Sequence, residues 1–391
     1  MQRVERHIII GDKNLDNLCF LSKNLYNYVN YLIRQEFTQN GKILSEYEVT
    51  TMLAKEKQAD YIELPAQTSQ QIIKLLFKNW KSFFKLCKCK DKLNGRPRLP
   101  KYKHKEKGRN VVVFTSQQCK LKDGYIHFPK KTNINPLRTK VSNLCQVRII
   151  PQCSCHIIEV VYEKESIETT GLDPDSYLSI DLGLNNLVTS CDSLNHKSFI
   201  VNGRPLKSIN QYFNKKKALL MSYIGNRGTS NRIGKLTLKR NCKVKDYMHK
   251  ASRFIVNYCI EHHISTIVIG NNKDWKQNCN MGKRNNQNFV SIPFEKLISM
   301  IQYKSEEVGI RVVITEESYT SKVDHYAGEE MCHHDSYLGK RIKRGLYRSS
   351  TGKILNADLN GAIGILRKVS HESYMQVVSR GGVETPSRIL M

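Results

Sequence analysis

Over the first 86 residues, apolar side chains recur every three or four positions. Leu18, Leu21, Leu25, Tyr28, Val29 and Leu32 form one stripe; Ile72, Ile73, Leu76, Trp80, Phe83 and Phe84 form a second. This period predicts amphipathic helices across residues 15–86, with the stripes turned into a core. A short strand at residues 6–10 precedes them. From residue 87 the period dissolves into KCKDKLNGRPRLPKYKHKEKGRN, a basic linker carrying Pro, Gly and Tyr102. Four alternating segments follow, VVVFTS, YIHFPK, QVRIIPQ and HIIEVVYEKE. They predict strands separated by turns, expected to close with the strand at 6–10 into a small β-barrel. The turn-rich SIETTGLDPDSY marks a boundary near residues 166–176.

The second half has a different rhythm. YLSIDLGLNNLVTSCD and HKSFIVNGR read as strands, followed by a Lys-rich helical stretch over about 205–262. Met248, Ala251, Ser252, Ile255, Val256 and Cys259 share one face of that stretch. The β-branched run ISTIVIG is the next strand, and a Gly/Asn-rich loop leads to a helix bearing Phe294, Leu297, Ile298, Ile301 and Val308. The strand GIRVVITEES, a loop and the helical NADLNGAIGILRKV complete the order. Three antiparallel strands extended by parallel βα units predict an α/β, ribonuclease-H-like fold.

Two acids sit where chemistry is expected in that order. Asp181 lies within the apolar strand LSIDLGLNN, where an acid is costly unless it meets a cation or a partner. Gly183 beside it leaves room for close approach. Asp358 opens the apolar helix NADLNGAIGI; a helix-terminus acid favoured by the macrodipole is the plainer reading of that residue alone. Taken together, acids on a central strand and on the last helix suit two divalent cations about 3.5–4 Å apart for phosphodiester hydrolysis. Oxygen ligands favour Mg2+.

Composition sharpens the partner. The 391 residues contain 63 Lys and Arg against 35 Asp and Glu, a net charge of +28. Such an excess calls for a polyanion, with nucleic acid first. No apolar run is long enough to span a membrane, so none is expected as a partner. The start, MQRVERHIII, is too short in apolar residues for a signal peptide, and the 12 cysteines are expected to be reduced thiols. A cytoplasmic, nucleic-acid-associated protein is therefore expected.

At this point the chain resembles a known family, the TnpB-type (OrfB) transposon-encoded RNA-guided nucleases, relatives of the type V CRISPR effectors. SIDLGLNNLVT resembles their first RuvC motif through Asp181, and NADLNGAIGILRKV their third through Asp358 and Asn360. YKSEEVGIRVVITEESYTSK resembles the region between, and KVKDYMHKASRFIVNYC their bridging helix. LYNYVNYLIRQ, LPAQTSQQIIKLLFKNWKSFF and GRPRLPKY extend the likeness through the amino-terminal half. The resemblance implies an α/β multidomain protein. Its parts would be a wedge-type β-barrel (1–14 and 105–168), a helical recognition insertion (15–104) and a RuvC nuclease domain (169–391). It also implies a guide RNA encoded near the gene, and target double-stranded DNA recognised beside a short adjacent motif and then cut. A groove reading a heteroduplex through shape and phosphates is the physical counterpart. Arg34, Gln35, Lys78, Lys81, Arg96, Lys101, Tyr102, Lys245, Lys250, Lys340, Arg341 and Arg344 are the nucleic-acid-binding candidates. Lys23, Lys74 and Lys85 flank the same helical stripes.

Two departures from the family stand out. Its second RuvC strand usually ends in glutamate; here that place is Gly270 in ISTIVIGNNKDW. The strand at 309–315 should lie about 4.8 Å beyond it and carries Glu316 and Glu317 at its end. Adjacent residues point to opposite faces, so one of the two should reach the site. Glu317 is the first choice, with Glu316 and then Asp274 as alternatives; ordinary solvated glutamates remain the bland reading. The metal set expected is Asp181, Glu317 and Asp358. The family also usually carries a four-cysteine zinc finger, yet residues 316–352 hold only Cys332 and read as a basic insertion. Zinc is not expected, because His325, Cys332, His333 and His334 lack the paired spacing of structural sites. CKC at 87 and CSC at 153 are also wrongly spaced. Two other functions stay open: a guide-dependent DNA binder with weak or no cleavage, and a transposase acting in strand transfer.

Overall fold

Strand β1 (Gln2–Ile9) leads into helix α1 (Lys13–Asn40). Asp12 starts that helix by accepting from the N–H groups of Asn14 and Leu15, and Gly41 ends it at a φ of +63°. A capping box between Ser45 and Glu48 starts α2 (Glu46–Lys55); α3 (Ala59–Glu63) and α4 (Ala66–Lys88) follow. Then come β2 (Val112–Thr115), β3 (Lys120–Lys122), β4 (Tyr125–His127), β5 (Leu137–Arg138), β6 (Leu144–Gln152) and β7 (Cys155–Glu163). The computed structural model describes residues 1–89, 95–152, 154–167, 169–225, 227–272 and 282–391. Asp274, Cys153 and part of the basic linker lie outside them. The chain folds into two compact units, Met1–Lys164 and Glu165–Met391.

In the first unit β1, β7, β6 and β2 form one antiparallel sheet, and β3, β4 and β5 a second. The first strand does pair with HIIEVVYE. Among the described residues, however, the pairings form two open sheets, with none that closes a barrel. The helical segment shares its core with the strands: Leu25, Val29, Ile72, Leu76 and Trp80 pack with Val112, Phe114, Val147 and Ile149. Trp80 also donates to Asn30 at 3.1 Å.

The second unit is built on a six-stranded sheet. Its elements are β8 (Asp173–Leu182), β9 (Asn186–Asp192), β10 (Ser198–Asn202), α5 (Arg204–Ser222), α6 (Asn231–Glu261), β11 (Ile264–Gly270), α7 (Lys283–Ser291), α8 (Phe294–Glu306) and β12 (Arg311–Thr315). A small sheet of β13 (Lys340–Lys343), β14 (Leu346–Arg348) and β15 (Ile354–Asn356) precedes α9 (Ala357–Val369), α10 (His371–Arg380) and β16 (Ser387–Ile389). The large sheet runs β12-β11-β8-β9-β10-β16, with β8, β9 and β10 antiparallel and β11 and β12 parallel to β8.

Alternation along β8 sorts its side chains between two faces. Leu178, Ile180 and Leu182 pack with α6 and α8, among Met248, Ile255, Leu297 and Ile301. Tyr177 and Ser179 face α9, where the Ser179 hydroxyl donates to the Ala362 carbonyl at 2.7 Å. Asp181 shares that second face.

Three elements differ from the sequence pattern. The Lys-rich stretch is two helices, because Gly225 and Gly228 take positive φ between α5 and α6. The Gly/Asn-rich loop contains α7, anchored by buried Phe289 despite poor helix formers. The carboxyl-terminal strand β16 adds to β10 in parallel through only three residues, too short to register as a periodic signal.

Candidate active site

The acidic site is assembled from β8, the β12 end and the start of α9. Asp181 sits in register with Thr189 of β9, one residue beyond the Ile180–Ile269 pair that joins β8 to β11. Asp358 lies in the first turn of α9, where Asn356 caps the helix by accepting from the Asp358 N–H at 2.9 Å. Gly361 is one helical turn further on. A Cβ there would lie 2.7 Å from Asp181 Oδ2, so only glycine lets the carboxylate rest against the helix. Asn186, at the start of β9, donates to Asp358 Oδ2 at 2.7 Å and holds that side chain toward β8.

Glu317 occupies the space vacated at position 270. Gly270 pairs with Thr315 across β11 and β12, and Glu317 follows two residues later. A Cβ on Gly270 would stand 2.6 Å from Glu317 Oε1 and 2.7 Å from its Cγ, with Ile365 also against it. The Glu317 N–H is held by Asn272 Oδ1 at 2.8 Å. Its Oε1 is buried without a hydrogen-bond partner, an arrangement that costs free energy unless a cation or proton satisfies it.

Glu316 points elsewhere. Its Oε2 pairs with Lys368 at 2.9 Å and its Oε1 accepts from the Ser318 N–H at 3.0 Å, both on the exposed side. The hydrogen bond to Lys368 holds its carboxyl below the usual range. Burial, followed by the charge of Glu316, pushes Glu317 up to about 7, with Lys368 pulling the other way. Burial also raises Asp181 well above the ordinary carboxylate range, reinforced by Asp358 and Glu317; the Arg341 charge and the Leu182 N–H oppose this. Clustered like charges disfavour ionisation until a cation joins them.

The donor set suits a hard divalent cation: carboxylate oxygens, an amide nearby and one orphaned oxygen. Asp181, Glu317 and Asp358 all remain partly accessible to solvent. Among the described residues, no three His, Cys, Asp or Glu side chains enclose a single metal position. A two-metal site distributes its ligands over both ions, and charged carboxylates without ions repel.

The basic candidates divide by environment. Gln35, Lys78, Lys81, Arg96, Lys101, Tyr102, Lys340, Arg341 and Arg344 are exposed. Lys245 is half-buried, and Lys250 pairs with Asp246 at 3.0 Å one turn away on α6. Arg34 corrects the outward expectation: its guanidinium donates to the Pro100 carbonyl and covers the Tyr102 ring 4.5 Å from the centroid. Lys23 is likewise buried, donating to the Lys105 carbonyl at 2.5 Å. Asn27 bonds the Lys103 backbone at both N–H and C=O, and Asn30 bonds Pro100. Helix α1 therefore uses these residues to strap down the segment at 100–105, whose backbone needs partners.

Sequence reasoning missed Asn186, Asn272 and Gly361. Their roles come from strand register and helix facing, which a single residue string does not display.

The site thus joins carboxylates from a mixed α/β sheet with the helix beside it. Residues 159–276 match the family OrfB_IS605, described as a probable transposase, and residues 294–365 match the family Cas12f1-like, TNB domain. The TnpB-like protein ORF457 of Acidianus two-tailed virus is 25% identical over 407 residues, covering 91% of this chain and 83% of its own length. A cryo-EM structure of the Cas12f1-sgRNA-target DNA complex has the same overall fold, with a TM-score of 0.54 at 15% identity over 90% of this chain and 81% of that chain. The chain is thus similar in sequence to TnpB-like proteins and in fold to Cas12f1.

Proposed function

We propose that this protein is an RNA-guided DNA endonuclease of transposon origin, with a ribonuclease-H-like (RuvC) site completed by a displaced glutamate. One observation carries the reading: Glu317 fills the room left by Gly270, on the sheet face that bears Asp181. The net charge of +28 supports nucleic-acid partners. The relative solved with sgRNA and target DNA supports a guide RNA and a target duplex as those partners. An intracellular setting follows from them.

Asp181, Glu317 and Asp358 are the residues that would hold Mg2+. When bound, two such ions supply an activated water and stabilise the leaving oxygen. The chain's own groups do the positioning. Asn186 fixes Asp358, Gly361 admits Asp181 to the helix, and Asn272 anchors the backbone of Glu317. The cations on β13 are exposed and available to phosphates.

A guide-dependent binder that does not cut is the second reading; Gly270, standing where the family usually has a glutamate, favours it. Magnesium-dependent cleavage of a matching plasmid by the protein reconstituted with its co-purifying RNA separates the two. Cutting supports the first reading, and binding without cutting supports the second.

A further inference from the structure

The segment that the resemblance would fill with a zinc finger is held by carboxylates. Zinc does not fit the residues present. His325 is fully buried; its Nε2 donates to the Thr320 carbonyl at 2.8 Å and packs against Gly364 of α9. His334 Nε2 donates to the Glu330 carbonyl at 2.8 Å, leaving Cys332 without a second thiol in the interval. A structural zinc needs four converging ligands.

Asp324 and Glu329 take up the stapling. Asp324 is fully buried, and its Oδ2 accepts from Ser349 Oγ at 2.9 Å, the Ser350 N–H at 2.7 Å and Ser350 Oγ at 2.9 Å. Its Oδ1 accepts from the Ala327 N–H at 3.3 Å. Glu329 accepts from the Asp324 N–H at 2.7 Å and from the Leu338 N–H at 2.8 Å. One clasp therefore ties together three points of the chain: 324–329, the entry to β13 and the turn after β14. Charge-assisted bonds of this number offset the cost of burying the carboxylates. The clasp is fastened to α9: Arg367 donates to the Glu329 carbonyl at 2.6 Å, and Asn360 to the Val323 carbonyl at 2.9 Å. The same helix carries Asp358, and its cap Asn356 ends β15 of the small sheet.

We propose that residues 316–352 form a metal-independent module in which Asp324 and Glu329 are positioning residues, holding the β13–β14 hairpin, and Arg341 with it, against α9. This rests on the nuclease reading for its effect on cutting, but not for its claim about zinc. Arg341 is the group that would touch the scissile phosphate: it pairs across the hairpin with Tyr347, which packs with Leu359 and Ala362 of α9, the helix that carries Asp358, and guanidinium pairs well with phosphate oxygens.

The test uses the full chain with its guide RNA. Metal content by mass spectrometry should show no stoichiometric zinc, and a zinc chelator should leave Tm unchanged. Asp324→Asn and Glu329→Gln should each lower Tm by at least about 4 °C. Both should slow single-turnover cleavage about tenfold at saturating target, with target Kd unchanged. Arg341→Gln should slow cleavage similarly without moving Tm, and Arg341→Lys should recover part of the rate. One zinc per chain, with a Tm that collapses on chelation, would overturn the clasp. Carboxylate variants with wild-type Tm and rate would overturn it too, and an Arg341→Gln enzyme of wild-type rate would remove the positioning role. A wild type that cuts nothing defeats the nuclease reading and the positioning role together, while the zinc and Tm measurements still judge the clasp.

Discussion

Gly270 and Glu317 share one volume: a Cβ on the first would sit 2.6 Å from Oε1 of the second. The absence of a side chain on β11 is therefore matched by the presence of a longer one from the end of β12. Substituting Gly270→Ala should push the Glu317 carboxylate off the face that carries Asp181. Cleavage by the guide complex should fall at least about tenfold while guide binding holds. The double variant Gly270→Glu/Glu317→Ala returns the acid to the strand end usual in the family. It should cut where Glu317→Ala alone does not, as measured by single-turnover kinetics.

The raised Glu317 pKa gives a stability slope with a definite sign. In the folded protein the group titrates at about 7, above its ordinary 4.5. The folded state therefore binds the proton more tightly, and without metal this residue destabilises the fold fully above pH 7. The penalty is relieved as pH falls from 7 toward 4.5. His325 acts oppositely, because burial lowers it to about 4 and stability is lost as pH falls below its unfolded value. The comparison to make is wild type against Glu317→Gln in chelator. The variant should be more stable at pH 8, and the difference should shrink toward pH 5. A constant difference would show that Glu317 is not buried as described.

Close packing of α9 on the following loop predicts a structural lesion. A Cβ at Gly364 would run into the His325 ring and Thr320. Gly364→Ala should destabilise the second unit by about 1–3 kcal/mol, the range for overpacking, and lower Tm accordingly. A Gly364→Ala protein with unchanged melting would contradict that packing.

The basic residues of the first unit should separate in salt titrations. Lys78 and Lys81 are exposed on α4, so alanine at either should reduce the slope of log K against log salt for guide binding by about 1. Arg34 is committed to Pro100 and Tyr102. Arg34→Ala should leave that slope unchanged and instead speed proteolysis of the strapped segment at 100–105. Equal slope changes for all three variants would return Arg34 to the phosphate-facing set.

Much of this arrangement was readable from the residue string, and the remainder has physical reasons. Leu25, Trp80 and the LSIDLGL strand declared themselves by period, since one buried face leaves a spacing in sequence. Asp181 was visible because an acid in an apolar strand is conspicuous. The hidden contributors were small or polar. Gly361 matters only because β8 lies against α9, and Asn186 only because β9 brings it to Asp358. Arg34 and Lys23 looked like outward cations on a helix flank, whereas the 100–105 backbone needed their donors. Nothing local in α1 encodes that demand, since the contacts of Arg34 and Lys23 span 66 and 82 residues of chain.

Glu317 is the residue on which cutting depends in the proposed function. Magnesium-dependent cleavage of guide-matched DNA should be compared for wild type, Glu316→Ala and Glu317→Ala, with target binding measured in parallel. On the proposed nuclease function, wild type and Glu316→Ala cut while Glu317→Ala binds its target and leaves it intact. Cleavage that survives in Glu317→Ala would show that Glu317 does not complete the site, whatever the other variants do.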